Sequence, residues 1–263
     1  PNGIRMDADT GLIFSPSHYT WMDTNHPAGT PREGYPVEIQ ALWHAALSYL
    51  ATIDDNPRWN ELAAKVRESL QALYRLPDRG YLADCLLAAP GTPAREATPD
   101  NALRSNQLLA ITLGAIEDPD LARGVLTATE WLLIPGAIRS LADQPVSPPL
   151  PVYRDGELLN DPERPFWGHY SGDEDTRRKP AYHNGTAWTW PFPSYCEALV
   201  SVCGPSLRET ARSLLASGAI LANDGCIGHI PEILDGSTPH RQRGCGAQAW
   251  GETELYRVLK LLS

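Results

Sequence analysis

The sequence of 263 residues lacks features that define several classes of protein. It contains no run of about 18 apolar residues, so neither a membrane-spanning helix nor a membrane partner is predicted. Lysine and arginine total 22 against 32 acidic residues, which gives a net charge of −10. Binding to a phosphate backbone requires clustered basic residues, and this acidic balance therefore argues against a nucleic-acid partner.

Metal and phosphate motifs are also missing. The odd number of cysteines and the lack of C-x-x-C spacing predict reduced, mostly buried thiols in a cytoplasmic protein. The sequence contains no close pairs of cysteine or histidine, so a zinc site is not predicted. Asp7 and Asp9 are not followed by the spacing of a calcium-binding EF-hand. The acidic run at 173–175 is typical of a solvated loop. No glycine-rich loop with a lysine or arginine is present for a phosphate ligand. We therefore predict no metal and no cofactor. The five cysteines are Cys85, Cys196, Cys203, Cys226 and Cys245.

Most of the sequence shows the periodicity of amphipathic helices. Apolar residues recur at three- and four-residue spacing, Asp118 precedes Pro119 as a helix cap, and Ser206 with Glu209 forms a capping-box pattern. No segment shows sustained period-2 alternation and no short repeat occurs, so the predicted class is all-α. The predicted helices cover residues 37–50, 57–73, 101–116, 119–134, 184–203, a segment starting at 206, and 244–262.

Residues 143–182 form a long segment that is rich in proline and charge and exceeds an ordinary connection. Loops of this length are usually functional lids or disordered. Paired helices, with long aromatic- and glycine-rich loops on one side, suggest an α/α toroid whose inner helices carry a pocket at one mouth. Seven predicted helices cannot close a ring of six pairs. We therefore interpret residues 1–263 as a single portion of such a domain, unless several helices escaped the periodicity analysis.

Polar and aromatic residues crowd together in four stretches at helix boundaries. A neutral polyhydroxylated ligand demands this mixture, because amides and carboxylates pair with hydroxyl groups and aromatic faces accept sugar rings. Taken singly, each tryptophan is better explained by core packing, because tryptophan is large and mostly buried. The combination favours a sugar site. The stretches are YTWMD at 19–23, RSNQ at 104–107, AYHNGTAWTW at 181–190, and the segment from IPEILDG to RGCGAQAW at 230–250.

Two carboxylates in these stretches suit the cleavage of a glycosidic bond. That reaction needs one carboxyl group to protonate the leaving oxygen and another to activate water or to attack the sugar. Asp23 follows Tyr19 and Trp21, so we expect an acid held partly out of water. Glu232 lies in a predicted loop before the last helix. Either residue alone could instead be a helix cap or a surface carboxylate.

Longer motifs resemble one known family, in order and over nearly the whole chain. The segments GIRMDADTGLI, YTWMD, TPREGYPVEIQALWHAAL, RSNQLLAITL, AYHNGTAWTW and RGCGAQAWGETEL are similar to the C-terminal catalytic domain of bacterial and archaeal glycogen debranching enzymes, of the amylo-α-1,6-glucosidase type. The family pattern is close to TWMDA, TPR.GK.VEINALWYNAL, RPNQ, YHNGTVWPW and C.AQAWS. The resemblance implies an (α/α)6 toroid, a six-hairpin glycosidase-like fold. It also implies hydrolysis of α-1,6-linked glucose at glycogen branch points, with inversion.

The resemblance also implies roles for individual residues. Asp23 matches the general acid of the family and Glu232 matches its general base. The substrate would be glycogen, its limit dextrin or a related oligosaccharide. The residues expected to line or brace the sugar site are Trp21, Arg32, Glu38, Asn106, Gln107, His183, Asn184, Trp188, Trp190, Gln248 and Trp250.

The chain departs from the family pattern at several positions, which bear on substrate preference more than on reaction type. Ser105 and Thr189 replace prolines, Tyr35 replaces a lysine, and 144–165 resembles an insertion beside the pocket. Family members carry further helices and a β-rich domain ahead of GIR. We therefore expect either a fragment of a longer protein, with the N-terminal half of that protein as its partner, or a truncated gene product whose missing half comes from elsewhere.

Two alternatives to a debranching activity stay open. One is another α-glucoside hydrolase of the same fold, similar to trehalase or glucoamylase. The other is an inactive glycan-binding fragment.

Overall fold

The computed structural model describes residues 2–24 and 30–263, so part of the Pro/Gly loop between Asp23 and Arg32, residues 25–29, lies outside the described residues. The predicted helices are confirmed as elements, although several differ in their bounds. The α-helices of the described residues are α1 (Val37–Ile53), α2 (Arg58–Leu73), α3 (Leu108–Thr112), α4 (Pro119–Glu130), α5 (Lys179–Tyr182), α6 (Phe192–Cys203), α7 (Arg208–Ile220) and α8 (Ala249–Leu261).

The helices are arranged in an inner and an outer row. In the inner row α1 contacts α3, α3 contacts α6, and α6 contacts α8. In the outer row α2 packs on α1, α4 on α3 and α6, and α7 on α6 and α8. This alternation of inner and outer helices follows the hairpin order of an α/α toroid.

Short strands occupy the connections between the helices. Strands of two or three residues are too short to display period-2 alternation in the sequence, which is why none was predicted. The fold is therefore helix-rich with some sheet, and the all-α class is not confirmed. The strands are β1 (Arg5–Met6), β2 (Ile13–Phe14), β3 (Gly34–Pro36), β4 (Arg75–Leu76), β5 (Tyr81–Leu82), β6 (Cys85–Leu87), β7 (Thr98–Pro99), β8 (Leu133–Ile134), β9 (Ala137–Arg139), β10 (Tyr153–Arg154), β11 (Glu157–Leu158), β12 (Ala187–Trp188), β13 (Ile233–Leu234) and β14 (Gln242–Arg243).

Two of the antiparallel sheets position the ends of the inner helices. The order β14-β13-β12-β9-β8 forms one sheet and β3-β6-β7 another, while β1-β2, β4-β5 and β10-β11 are two-stranded. In the larger sheet Trp188 of β12 lies opposite Ile233 of β13. This register brings Glu232 next to the stretch that contains Tyr182 and Trp188.

The main hydrophobic core lies between the two rows of helices. The apolar residues Ala63, Val66 and Leu70, three or four positions apart, are buried on the inner face of α2. In α1 the apolar spacing includes Leu42, yet that side chain remains 49% exposed. The buried face of α1 instead includes Gln40, whose side-chain amide hydrogen-bonds the backbone of Ile13 in β2. The packing of β2 against α1 therefore decides which face of α1 is buried.

Three helix ends differ from the sequence prediction for identifiable reasons. The third helix is short because Ser105–Gln107 forms a 3-10 turn before it and Gly114, with φ 72°, follows its end. The fifth begins only after Pro191. The Ser206 capping box is wrong, because a 3-10 turn at Pro205–Leu207 carries the chain into α7. The cap at Asp118 is confirmed, since its side chain accepts from the Asp120 and Leu121 amides.

The expectation of mostly buried thiols is wrong. All five cysteines are free, but only Cys85 and Cys196 are buried. Cys203 ends α6, and Cys226 and Cys245 lie in connections, where no neighbouring element covers them. No helix of the described residues is long and apolar enough to cross a membrane.

The segment 143–182 is ordered by a β-hairpin and a helical turn. Strands β10 and β11 form the hairpin, and Glu174–Arg178 forms one π-helical turn. The segment returns to the sheet beside Gly185, which has φ 149°. A Cβ at Gly185 would lie 2.6 Å from the Trp167 carbonyl carbon, and a Cβ at Gly236 would overlap the Gly185 carbonyl oxygen. Backbone contacts between these three positions therefore require glycine at two of them.

Candidate active site

The candidate residues converge at the N-terminal ends of the inner helices. Glu38 lies in the first turn of α1, Asn106 precedes α3, Trp190 precedes α6, and Gln248 caps α8. Glu232 joins them through the pairing of β13 with β12. Stretches that are far apart in the sequence thus share one end of the helical arrangement.

Glu232 is held by three hydrogen-bond donors. The Tyr182 hydroxyl donates to Oε1 through a very short hydrogen bond, and Gln248 Nε2 donates to the same oxygen at 3.2 Å. The backbone N–H of Cys245 donates to Oε2 at 2.9 Å. The half-buried carboxylate is therefore oriented from both sides but retains contact with solvent.

Tyr182 is a neutral hydrogen-bond donor to Glu232. Burial, the hydrogen bond to Glu232 and the charges of Glu232, Tyr170 and Asp23 all raise the pKa of Tyr182. The phenol therefore stays protonated and acts as a donor.

Asp23 itself is exposed, contrary to the expectation of an acid held partly out of water. Its neighbours Met22 and Thr24 are both buried. The Thr24 hydroxyl forms a hydrogen bond of 3.0 Å with Nδ1 of His183. The backbone on either side of Asp23 is therefore anchored, while the side chain faces solvent.

Trp21 is the centre of an aromatic cluster beside Asp23. Its ring makes edge contacts with Trp188 and Trp190, each at 5.0 Å between centroids, and with His183 at 5.4 Å. Trp250 stacks on Trp190 at 4.0 Å. Edge and stacked contacts of this kind fix the orientation of the rings, in addition to the stabilisation that comes from burying their apolar area. Burial and the charge of Arg104 lower the pKa of His183 well below its ordinary value, so this ring is neutral.

Arg32 is a structural residue. Its five N–H donors match five hydrogen bonds: Nη1 and Nη2 each donate to a Glu38 oxygen at 2.6 Å, Nε donates to Asp84 Oδ2 at 2.7 Å, and the remaining two go to the Thr20 hydroxyl and the Asp84 carbonyl. Burial would lower the pKa of Arg32, but Asp84 and Glu38 raise it well above its ordinary value. No donor of Arg32 is left for a ligand.

Asp84 links this arginine to the aromatic cluster. Its Oδ1 accepts from Asn106 Nδ2 at 2.8 Å, and Asn106 Oδ1 accepts from the Trp21 indole at 2.8 Å. Arg104 lies 3.4 Å from Asp84 and donates to the His183 carbonyl and to Asn184 Oδ1. One buried network therefore connects the first turn of α1, the turn before α3 and the residues that follow α5.

The predicted residues divide into two groups by exposure. Eight are at least 95% buried; they are Arg32, Glu38, Asn106, Gln107, His183, Asn184, Trp188 and Trp190. The others retain accessible surface and are available to a ligand; they are Trp21, Asp23, Glu232, Gln248 and Trp250. The sequence prediction left this division open.

Three further residues of the site were missed. Tyr182 directly precedes the predicted His183, and Arg104 opens the RSNQ stretch, so both lay within quoted motifs. Asp84 stands alone in the apolar segment YLADCLL, and a carboxylate in such surroundings is a signal for a buried ion pair. None of these roles follows from local periodicity.

A cavity of ≈ 370 Å³ lies on the helical side of the aromatic cluster. Trp21, Trp190 and Trp250 line it together with apolar and charged residues of α1, α3, α6 and α8, whereas Asp23 and Glu232 are not part of its lining. Within residues 2–24 and 30–263, no group of three His, Cys, Asp or Glu side chains is arranged to hold a metal ion.

Comparison with known proteins gives a consistent result. A family model described as amylo-alpha-1,6-glucosidase matches residues 2–257. The chain is 25% identical over 238 residues to the glycogen debranching enzyme of Saccharomyces cerevisiae, a match covering 74% of this chain and 14% of the yeast protein.

Solved structures with a similar fold include the GH63 mannosylglycerate hydrolase of Thermus thermophilus. Its complex with glucose gives a TM-score of 0.52 at 16% identity, covering 86% of this chain and 48% of that chain. Its complex with Tris and D-glycerate gives a TM-score of 0.51 at 15% identity, covering 86% of this chain and 46% of that chain. Such low identities establish the fold alone, that of the six-hairpin glycosidases. The chain spans less than half of these solved structures.

Proposed function

We propose, on the premise that this chain belongs to the amylo-alpha-1,6-glucosidase family, that it carries the active site of a glycoside hydrolase for α-1,6-glucosidic branch linkages. The substrate is glycogen or its limit dextrin, and hydrolysis proceeds with inversion. The family membership supports glycoside hydrolysis as the reaction class. The linkage and the stereochemistry are parts of the proposal.

The observation that carries the proposal is that the stretches bearing Asp23 and Glu232 meet at Trp188. The Trp21 ring lies 5.0 Å from the Trp188 ring, and Trp188 lies opposite Ile233, the residue after Glu232. Tyr182 donates a hydrogen bond to Glu232 at the same place. Two carboxyl groups on opposite sides of one sugar are the minimum set for glycoside hydrolysis, and inverting enzymes separate them by about 6.5–9.5 Å to admit a water molecule.

The proposed reaction assigns one proton transfer to each carboxyl group. The carboxyl group of Asp23 gives a proton to the glycosidic oxygen as the bond from that oxygen to the anomeric carbon breaks. Glu232 accepts a proton from a water molecule, whose oxygen bonds to the anomeric carbon from the opposite face. The products are a β-configured glucose and a shortened glucan with a free hydroxyl group.

The surrounding residues support these two steps. The donors on Glu232, namely Tyr182, Gln248 and the Cys245 amide, orient its carboxylate towards the water molecule. The accessible faces of Trp21 and Trp250 supply apolar platforms for a sugar ring. The buried ion network holds these elements in place, so that little reorganisation is needed when the substrate binds.

Glucose release from phosphorylase-limit dextrin tests the proposal. The longest natural form of the protein is compared with Asp23→Asn and Glu232→Gln, and with Asp55→Asn as a control at an exposed carboxylate. We expect β-glucose by NMR, loss of activity in both site variants, and full activity in the control.

Other outcomes contradict specific parts of the proposal. Turnover of trehalose or panose without dextrin hydrolysis would reassign the substrate to another α-glucoside. Initial release of the α-anomer would contradict inversion. Dextrin binding without any turnover would instead support a glycan-binding protein.

A further inference from the structure

A second cavity of ≈ 620 Å³ lies apart from the candidate active site. It runs as a groove between the segment that contains β11 and the helical turn Glu174–Arg178. None of the site residues predicted from the sequence lines it. One wall comes from residues 157–161 and Arg164, within the segment 144–165 that resembles an insertion.

The lining of the groove combines aromatic rings with charges of both signs. Phe166 and Trp167 are half-buried, and the Arg177 guanidinium lies over the Trp167 ring, 5.8 Å from its centroid. Arg164 and Arg177 are exposed, and Asp161 faces the same space. A phosphate site would concentrate basic groups alone. Rings with balanced donors and acceptors suit a neutral polyhydroxylated ligand.

The acidic residues beside the groove form their ion pairs with basic residues other than Arg164 and Arg177. Asp155, Glu174 and Asp175 pair with Arg154, Arg178 and Lys179 instead. Within the described part of the chain, Arg164 and Arg177 form none of the ion pairs. Their guanidinium groups therefore retain donors for the hydroxyl oxygens of a ligand.

The groove is joined to the carboxylate site by the short segment 166–170. The Trp167 amide donates to the Asn184 carbonyl at 2.6 Å, and the Tyr170 amide donates to Asp235 at 2.8 Å. The Tyr170 ring lies 5.4 Å from the ring of Tyr182, which contacts Glu232. Four residues span at most about 14 Å, so one oligosaccharide is long enough to reach from the groove to the site.

We infer that this groove binds a stretch of α-glucan chain outside the reacting sugar and thereby selects polymeric over short substrates. The inference rests on the proposed function for the identity of the glucan. The binding event itself requires no turnover, so the two are separable by experiment.

Isothermal titration with maltohexaose tests the groove in the full chain. The protein carries Glu232→Gln to prevent hydrolysis and is compared with the same protein bearing Arg164→Ala and Arg177→Ala together. Arg208→Ala, at an exposed arginine of α7, is the matched control. We expect the double variant to bind about ten-fold more weakly, the factor expected for loss of a charge-assisted hydrogen bond, and the control to bind normally.

Kinetics distinguish this inference from the proposed function. In the protein that retains Glu232, the two arginine substitutions are expected to raise KM for limit dextrin and to leave kcat/KM for a short branched oligosaccharide unchanged. Equal maltohexaose affinity in the double variant, absence of maltohexaose binding, or competition by inorganic phosphate alone would each overturn the groove as a glucan site. If the protein binds maltohexaose, and binds it more weakly in the double variant, but does not hydrolyse limit dextrin, the proposed function is contradicted and the groove inference is not.

Discussion

The Tyr182 hydroxyl donates a hydrogen bond to the Oε1 oxygen of Glu232, the carboxylate proposed to act as the general base. Tyr182 reaches this position because α5 ends there and the next residues enter β12, which pairs with β13 beside Glu232. The phenol therefore fixes the direction of the carboxylate without competing with it for a proton.

Replacing Tyr182 with phenylalanine is expected to lower kcat on limit dextrin by about 10–100-fold, because one of the donors that orient Glu232 is lost. The free energy of unfolding should fall by only about 1 kcal/mol, the usual net value of one hydrogen bond. Steady-state kinetics and urea unfolding measure the two effects. Tyr170→Phe is the control, since it keeps the ring beside Tyr182. Equal kinetics for both variants would contradict an orienting role.

Asp84→Asn is expected to destabilise the fold strongly. The substitution leaves the buried guanidinium groups of Arg32 and Arg104 without a full counter-charge, and breaking a buried ion pair typically costs about 3–5 kcal/mol. Glu117→Gln, which removes the exposed pair with Arg67, should cost at most about 1 kcal/mol. Urea unfolding at neutral pH compares them. Similar losses in both variants would show that the network contributes no more than a surface pair.

Asp100 is expected to make stability depend on pH. Burial and the neighbouring Asp84 raise the pKa of Asp100 from 3.8 to about 6. The folded state therefore binds the proton more tightly than the unfolded state does. The stabilisation from this group is fully present below about pH 4 and is lost as pH rises to about 6.

Asp100→Asn removes this dependence while keeping an acceptor for the Ala102 amide. The free energy of unfolding of the unmodified protein, relative to the variant, should fall by roughly 2–3 kcal/mol between pH 4 and pH 7. Urea titrations across this range measure the difference. A difference that stays constant with pH would contradict the raised pKa. Asp55→Asn, at an exposed site, is the control.

Substitutions of the two stacked tryptophans, Trp190 and Trp250, are expected to have different effects, one on stability and the other on substrate binding. Trp250 is 43% exposed, so Trp250→Ala should raise KM for limit dextrin about ten-fold and lower stability little. Trp190 is buried, so Trp190→Ala should cost about 3–5 kcal/mol of unfolding free energy. Kinetics and thermal unfolding of the two variants provide the test. An unchanged KM in Trp250→Ala would remove this ring from the sugar site.

The sequence predicted the helices, the family and the convergence of the four motif stretches. Helices produce a periodic pattern of apolar residues, and the motifs occur in a recognisable order along the chain. It did not predict the strands, whose two or three residues carry no readable alternation. It could not separate Arg32, which is fully hydrogen-bonded inside the fold, from Gln248, which remains accessible. Burial of one and exposure of the other follow from tertiary packing. The same holds for Asp84, whose partners lie far away in the sequence.

The close approach of Gly185 to Trp167 and Gly236 has a consequence for how sequences of this kind diversify. Three distant positions are fastened together backbone to backbone, and the segment ahead of Trp167 leaves from this fixed point. A change of length or sequence within 144–165 is therefore expected to leave the geometry beside Glu232 in place, because the chain on either side of that segment starts again from the same fixed backbone contact.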